Sequence, residues 1–442
     1  MKTTPRRSVS LALAALPLAV AVGLAAGNAH ASAFQLKENS VKGMGRAFAG
    51  AGAAPDDYAV VVNNPAAMLD LPGRGLQVDL TAIQVSAKFK GNGTDALGRP
   101  ISGGNGGDGG GTEPVPAIYF LAPINDRVSL GAGLTVPFGF VTEYDTGWVG
   151  RYQAYKSDLQ VPALTFSGAF RINDAFSIGA SAIAQRAKAD LSNAIDLGAI
   201  LAGPTQGAIL PQGADGRIRM TGEDWAWGWQ LGVLWKPTGA DRIGLNYHSK
   251  IKHEISGNAT FQVPAAVAPL LDPAFTNTRG SATLNTPAFT ELSWWHTFTD
   301  RFSFGASVAY TEWSSFQDLT IEFANPAQPN AVEPFGWRDT WFGSIGGDYK
   351  LNEAWTLRAG FAVDGTPTHV DTRTPRVPDA TRRWVSIGVG YKPSETLEIN
   401  AGYTHLFVND AHIDTVNATG DRLTGKFENY SNLLGVSGVF RF

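Results

Sequence analysis

Side chains capable of covalent or metal chemistry occur in this sequence but are nowhere assembled. The seven histidines are scattered, and none stands at metal-ligand spacing with carboxylates on one face. There is no G-x-S-x-G segment and no phosphate-binding loop, and "GGNGGDGGG" at 103–111 reads as a flexible external loop. The absence of cysteine excludes disulfides, thiolate metal sites and a cysteine nucleophile. The expectation is therefore no enzyme, no metal and no cofactor. What the residues offer instead is apolar contact. "LSNAIDLGAILAG" places Ile195, Leu197, Ile200 and Leu201 on one flank of a short helix, and "VPAAVAPLLDPAF" carries Val263, Val267, Leu270, Leu271 and Phe275. Exposed apolar loops that cluster mark binding sites; the plainer alternative is that these two pack on one another.

The elements that hold such loops are strands. "EDWAWGWQLGVLWKP" sets Trp225, Trp227, Trp229, Leu231, Val233 and Trp235 on one face, with mostly small residues behind. The same alternation runs through Val128–Val136, Trp355–Val363 and Leu397–Phe407, and it predicts Ile243, Leu245, Tyr247, Ile251 and Ile255 on one face of another strand. Short polar connections at 123–127, 172–175, 236–242, 298–301, 351–354 and 392–396 alternate with long ones at 89–114, 139–157, 190–222, 258–281, 316–335, 364–382 and 409–426. That sorting joins about 14 antiparallel strands and is the pattern of transmembrane barrels, in which bulky residues face lipid. Aromatic residues near strand ends then belong at the headgroup level, with Trp225, Trp235, Tyr247, Trp337, Tyr349, Trp355 and Tyr391 as candidates.

The N-terminus agrees with export. Lys2, Arg6 and Arg7 precede an apolar run that ends in "AHA" at 29–31, the form of a cleaved secretory signal. The alternative is an uncleaved anchor. Past it, no run approaches the roughly 20 apolar residues of a spanning helix. The net charge of −4 gives no reason to expect nucleic acid. Residues 32–75 do not alternate, yet they carry Phe34, Met44, Phe48, Tyr58, Val60, Val61 and Met68, too apolar for a solvated tail. They are expected inside the lumen. In the third strand Pro137 falls where a ladder N–H is needed, with Gly139 two residues on, so the strand either breaks pairing there or ends at Val136.

Phe34-Gln35-Leu36, Gly43-Met44-Gly45-Arg46-Ala47 and Asn64-Pro65-Ala66, with "LNTPAFTELSWW" and "VPDATRRWVSIGVGY" further on, carry a resemblance to the long-chain fatty-acid outer-membrane transporter family (FadL/TodX type). The resemblance implies an all-β fold: a transmembrane antiparallel β-barrel of about 14 strands, with an N-terminal hatch (plug) in the lumen. On this reading 1–31 is the signal peptide, 32–75 the hatch and 76–442 the barrel of an outer-membrane protein, monomeric as its family is. The implied function is transport of long-chain fatty acids, captured in the external loops and released sideways into the bilayer. Asn64, Pro65 and Ala66 would shape the hatch, and Pro137 and Gly139 would lie beside the lateral gap. The family meets a ligand carboxylate with basic groups whose nearest counterparts here are Lys188 and Arg338, and neither matches well. That mismatch leaves neutral aromatic or aliphatic hydrocarbons as the alternative substrate. A diffusive porin and an outer-membrane lipase are the remaining readings.

Overall fold

The computed structural model describes residues 33–442; the expected signal peptide lies outside them. Nineteen extended segments, five pairs of which continue one another, make fourteen barrel strands. These are β1 (Gly75–Thr94), β2 (Thr112–Asn125), β3 (Val128–Glu143), β4 (Lys156–Arg171), β5 (Phe176–Asp196) and β6 (Asp215–Trp235). Next come β7 (Asp241–His248 and Ile251–Gln262), β8 (Thr278–Thr286 and Phe289–Thr297), β9 (Phe302–Thr311 and Asp318–Phe323) and β10 (Ala331–Pro334 and Thr340–Lys350). Last are β11 (Trp355–Asp364), β12 (Arg382–Ser394), β13 (Leu397–Val408 and Ala411–Val416) and β14 (Arg422–Arg441). Neighbours pair antiparallel, and β14 returns to β1 in unshifted register from Gly75↔Arg441 to Thr94↔Arg422. Closure pairs both terminal strands, as a spanning sheet requires, and leaves free edges along the upper part of β2 and β3.

The outward face is apolar as the alternation predicts. Trp225, Trp227 and Trp229 are 62%, 71% and 49% exposed, while Gln230 and Leu234 behind them are buried. In β7 the alternation changes phase. Leu245 points out, yet Ile251, His253 and Ile255 are buried and Lys250, Lys252 and Glu254 are exposed. The cause is a one-residue slip at Ser249: β6 pairs Gln230↔His248 below it and Glu223↔Ser256 above it. A slip of one residue sends every later side chain to the other face. The expected lipid-facing placement of Ile251 and Ile255 is thereby corrected.

Residues 33–74 pack against the inner wall. Tyr58, Val60, Val61 and Met68 join Tyr119, Leu121, Ala169, Leu234 and Val439 in one buried cluster. The helix Val41–Gly45 is capped by Ser40, whose side chain accepts from Gly43 N at 3.0 Å, and Val41 N donates to Asp79 on β1 at 2.8 Å. Arg46, fully buried, bridges Asp56 and Asp348 at 3.0 Å each and lies over the Trp295 ring. Lys42 reaches Glu398 at 2.7 Å. Buried charges persist only when paired in this way. They tie the segment to β8, β10 and β13 at once.

Candidate functional site

The β2–β3 ladder runs from Asn125↔Val128 to Ile118↔Leu134 and stops. Above that point β2 still pairs with β1 as far as Thr112↔Gln84, and β3 still pairs with β4, with a shift between Thr135 and Phe138. Pro137 sits at the shift. The facing edge of β2 is also blunted. Val85 N donates to Gly111 O at 2.8 Å, and Val85 and Gly111 stand opposite each other in the β1–β2 register. In an antiparallel ladder such bonding pairs alternate, so the odd residues of β2 bond β1, and Pro114 and Pro116 turn their donor-less nitrogens toward β3. The edge of β3 is occupied from within. Leu36 N donates to Pro137 O at 2.8 Å and Gly139 N to Phe34 O at 2.9 Å. Phe34, 2% exposed, anchors this strap, with its ring 4.8 Å from Trp313 and 5.5 Å from Trp337. The opening ends where Glu143 N meets Gly109 O at 3.0 Å.

Behind the unpaired edges lies a cavity of about 460 Å³. Pro114, Pro116, Val136 and Gly139 form its mouth, and Ile83, Val115, Leu406 and Leu433 are among its inner walls. That volume falls within the range of small-molecule sites. A second cavity of about 100 Å³, lined by Met220, Ile255, Leu284, Phe316 and Trp337, adjoins it across Phe140, Leu159, Arg376 and Val377. The larger space is walled by apolar residues of β1, β13 and β14, with polar groups that include Asp379, Asn429 and Ser431 besides Arg376, Arg382 and Glu38. Arg376 is held by Glu333 at 3.1 Å and by Ser157 and Asn193 at 3.0 Å each. Arg382 is held by Asp379 and the Ala33 carbonyl at 2.8 Å each. Glu38 of the strap region is 5% exposed, and among the described residues its Oε2 has no hydrogen-bond partner. Burial pushes its pKa up to about 7, against its own backbone N–H and Arg382, which pull it down.

The expected site residues divide. Asn64 is fully buried; its Nδ2 donates to Gly52 O at 2.8 Å and to Val233 O at 3.1 Å on β6, and its Oδ1 accepts from Ala66 N at 3.2 Å. Pro65 and Ala66 follow in a buried 3₁₀ turn. Pro137 and Gly139 stand at the broken ladder as described. The loop residues meet each other: Leu197, Leu201, Val267 and Leu271 form a buried cluster, with Ile195, Ile200, Val263 and Phe275 packed on it and Leu270 left 56% exposed. None of them lines either cavity. Lys188 is exposed on the outward face of β5, because the inward positions are its neighbours Ala187 and Ala189. It is therefore not brought to the cavity. Arg338 sits in irregular backbone between the two segments of β10, its N–H on Pro367 O at 3.2 Å, and burial lowers its pKa. Strand parity does not apply there. For the same reason Trp337, expected at the headgroup level, is instead 2% exposed inside the barrel. Arg376, Glu38, Pro114 and Pro116 were not anticipated. Among the described residues no cluster suited to a metal ion occurs.

Comparison with known proteins supplies the rest. The family described as outer membrane protein transport protein (OMPP1/FadL/TodX) matches residues 22–442. The long-chain fatty acid transport protein of Salmonella typhi is 32% identical over 405 residues, covering 88% of this chain and 90% of its own. The crystal structure of a Pseudomonas aeruginosa FadL homologue superposes with a TM-score of 0.88 at 33% identity, over 93% of this chain and all of its own. The Ralstonia pickettii toluene transporter TbuX shares the fold, with a TM-score of 0.66 at 22% identity, over 92% of this chain and 99% of its own.

Proposed function

The chain belongs to the OMPP1/FadL/TodX family of outer membrane transport proteins, and from that membership we propose that it imports hydrophobic molecules, long-chain fatty acids foremost. It is an outer-membrane β-barrel. The observation that carries the reading is the broken β2–β3 ladder opening into an apolar cavity. A hydrocarbon chain gains about 0.8 kcal/mol per CH₂ removed from water, so a dry path from cavity to bilayer suits it better than a wet pore. Unpaired backbone facing lipid is costly, and the strap and the two prolines of β2 reduce that cost at this one place. The ligand is taken up at the external surface beside the 197–202 and 263–275 loops, enters the two cavities and leaves between β2 and β3. Residues 33–74 act as the hatch, Asn64 holding it to β6. The protein works as a monomer and is not an enzyme.

Neutral hydrocarbons by the same route form the second reading. It is favoured by one observation: the arginines at the cavity, Arg376 and Arg382, are already engaged by protein acceptors. Extraction of the purified protein and identification of co-purified molecules tests the proposal. Long-chain acids or hydrocarbons support it; a protein that carries none, and whose deletion leaves uptake of both unchanged, refutes it. Liposome conductance separates the porin reading, since a plugged barrel stays nearly silent.

A further inference from the structure

Glu38 is a costly residue to place where it lies. It is 5% exposed, its Oε2 lacks a partner among the described residues, and it lines a cavity walled by Ile83, Leu406 and Leu433. An unsatisfied buried polar atom is destabilising unless something pairs with it. The protein's own cations nearby are committed elsewhere. Lys37 pairs with Glu291 at 3.6 Å and lies over the Phe342 ring, and Arg382 holds Asp379. Arg376, also of the cavity's lining, holds Glu333. Asp364 at the end of β11 is the other acid that acts on Glu38. Neutral donors of the same lining are also engaged, Asn429 by Pro378 O, Thr142 by Arg376 O and Gln160 by Asp158, so a donor carried by the ligand fits the open position at Oε2.

We infer that Glu38 is a specificity-determining contact of the transport cavity, selecting amphiphiles whose head donates a hydrogen bond, a hydroxyl or a protonated carboxyl, over free carboxylates. The inference rests on the reading of this cavity as the ligand site. An ionised Glu38 accepts from a hydroxyl but repels a carboxylate across a low-dielectric space. A neutral Glu38 donates to a carboxylate and no longer repels it. Burial sets the changeover near pH 7, so Glu38 is mostly neutral below that pH and mostly ionised above it. A fatty carboxyl with an ordinary carboxylic pKa, about 4 as in free glutamate, stays ionised through the same interval. If carboxylates bind only the neutral form, apparent affinity follows the neutral fraction, about ten-elevenths at pH 6 and about one-eleventh at pH 8.

The test is equilibrium binding of radiolabelled dodecane, 1-dodecanol and laurate to full-length barrels in nanodiscs, with empty nanodiscs subtracted. Wild type, Glu38→Gln and Glu38→Leu are compared at pH 6 and pH 8, each checked for the heat-modifiable mobility of a folded barrel. Wild type is expected to bind laurate about tenfold more weakly at pH 8 than at pH 6, with dodecane unaffected. Glu38→Gln removes that pH dependence, and Glu38→Leu removes the preference for dodecanol over dodecane. A laurate profile identical in wild type and Glu38→Gln, with dodecane still bound, overturns the role of Glu38 and leaves the cavity reading intact. Failure of all three probes to bind wild type overturns both.

Discussion

Two independent devices keep β2 and β3 apart, and their strengths can be compared. Continued upward, the ladder would bring Pro114 and Pro116 against the kinked part of β3. Four N–H···O bonds would normally form over such a stretch, but three of the donors, at 114, 116 and 137, are proline nitrogens. At about 1 kcal/mol net per bond, closure in the native sequence is worth about 1 kcal/mol. The strap that competes for β3 makes two bonds of its own, from Leu36 N and to Phe34 O. It also buries Phe34, whose truncation in a packed core costs about 3–5 kcal/mol. Strap therefore exceeds ladder by about 5 kcal/mol on these values. Replacing Pro114 and Pro116 with Val raises the ladder to about 3 kcal/mol, which still loses. Phe34→Ala alone leaves the strap ahead by about 1 kcal/mol. Only the triple variant favours closure, by about 1 kcal/mol. Hydrogen exchange across Val136–Val141 reads closure directly, and fatty-acid uptake by cells lacking their own copy reads its consequence. The triple variant should protect those amides and lose uptake; the double-proline variant should do neither. Protected amides with uptake intact would refute lateral exit, and closure in the double-proline variant would refute the role given to the strap.

Other outcomes follow from the hatch and the loops. Arg46→Met takes from Asp56 and Asp348 their nearest cation and leaves them paired with Arg358 alone, at 3.9 and 3.3 Å, a loss of about 1–3 kcal/mol, read as hatch proteolysis and new liposome conductance in an otherwise folded barrel. Burial alone would raise the pKa of Asp56, but Arg46 and Lys42 outweigh it and hold it below the usual carboxylate range. That stabilisation is present above the unfolded value and lost only as pH falls through the depressed one, so Asp56 adds no pH dependence to hatch retention from about pH 5 to pH 8. The fall in retention expected as pH rises to about 7 comes from Glu38, whose folded pKa is raised. A Cβ on Gly232 would fall on the Asn64 side chain, and one on Gly244 on the Gly52 carbonyl. Gly232→Ala should therefore displace the hatch at a cost of about 1–3 kcal/mol and reduce uptake, as should Asn64→Ala, without removing the barrel from the membrane. Tags at Gly107, Gly213 or Asn417 should be reached on intact cells and tags at Asp126, Thr238 or Ser394 should not; the opposite pattern inverts the topology.

Much of the barrel was legible because lipid imposes a period of two on every strand, and turn residues such as Asn173 and Pro237 punctuate it. Where a wall residue slips, the period conceals it. Ser249 bears no mark that separates it from an ordinary strand position, so Ile251 and Ile255 were placed on the wrong face. Pro137 signalled its break because a proline is conspicuous inside a strand. Pro114 did not, because the loop was expected to run to 114 and a proline in a loop asks no question, and Pro116 falls at the start of the expected strand, where a proline is tolerated. Lys188 and Arg338 were sought by resemblance, whereas Arg376 lay within the run "RTPRVPDATRR", whose several basic residues look like any charged loop. Glu38 had the weakest signal. Its meaning comes from the walls around it, which are supplied by β1, β13 and β14, hundreds of residues apart in part.

The strap has a consequence for how the molecule is made. Phe34–Leu36 comes first among the described residues, yet its partners are Pro137 and Gly139, and the seam enclosing it is zipped by β14, the last strand of all. Arg46 likewise waits for Asp348 on β10. The plug is held to β1, β8, β10 and β13 from inside the closed wall, an arrangement that suits a plug set in position while the sheet is still an open ribbon. Assembly is then a wrapping rather than a filling. The segment ahead of the first strand serves as the mandrel, and the twenty-residue seam between β1 and β14 is the final stitch.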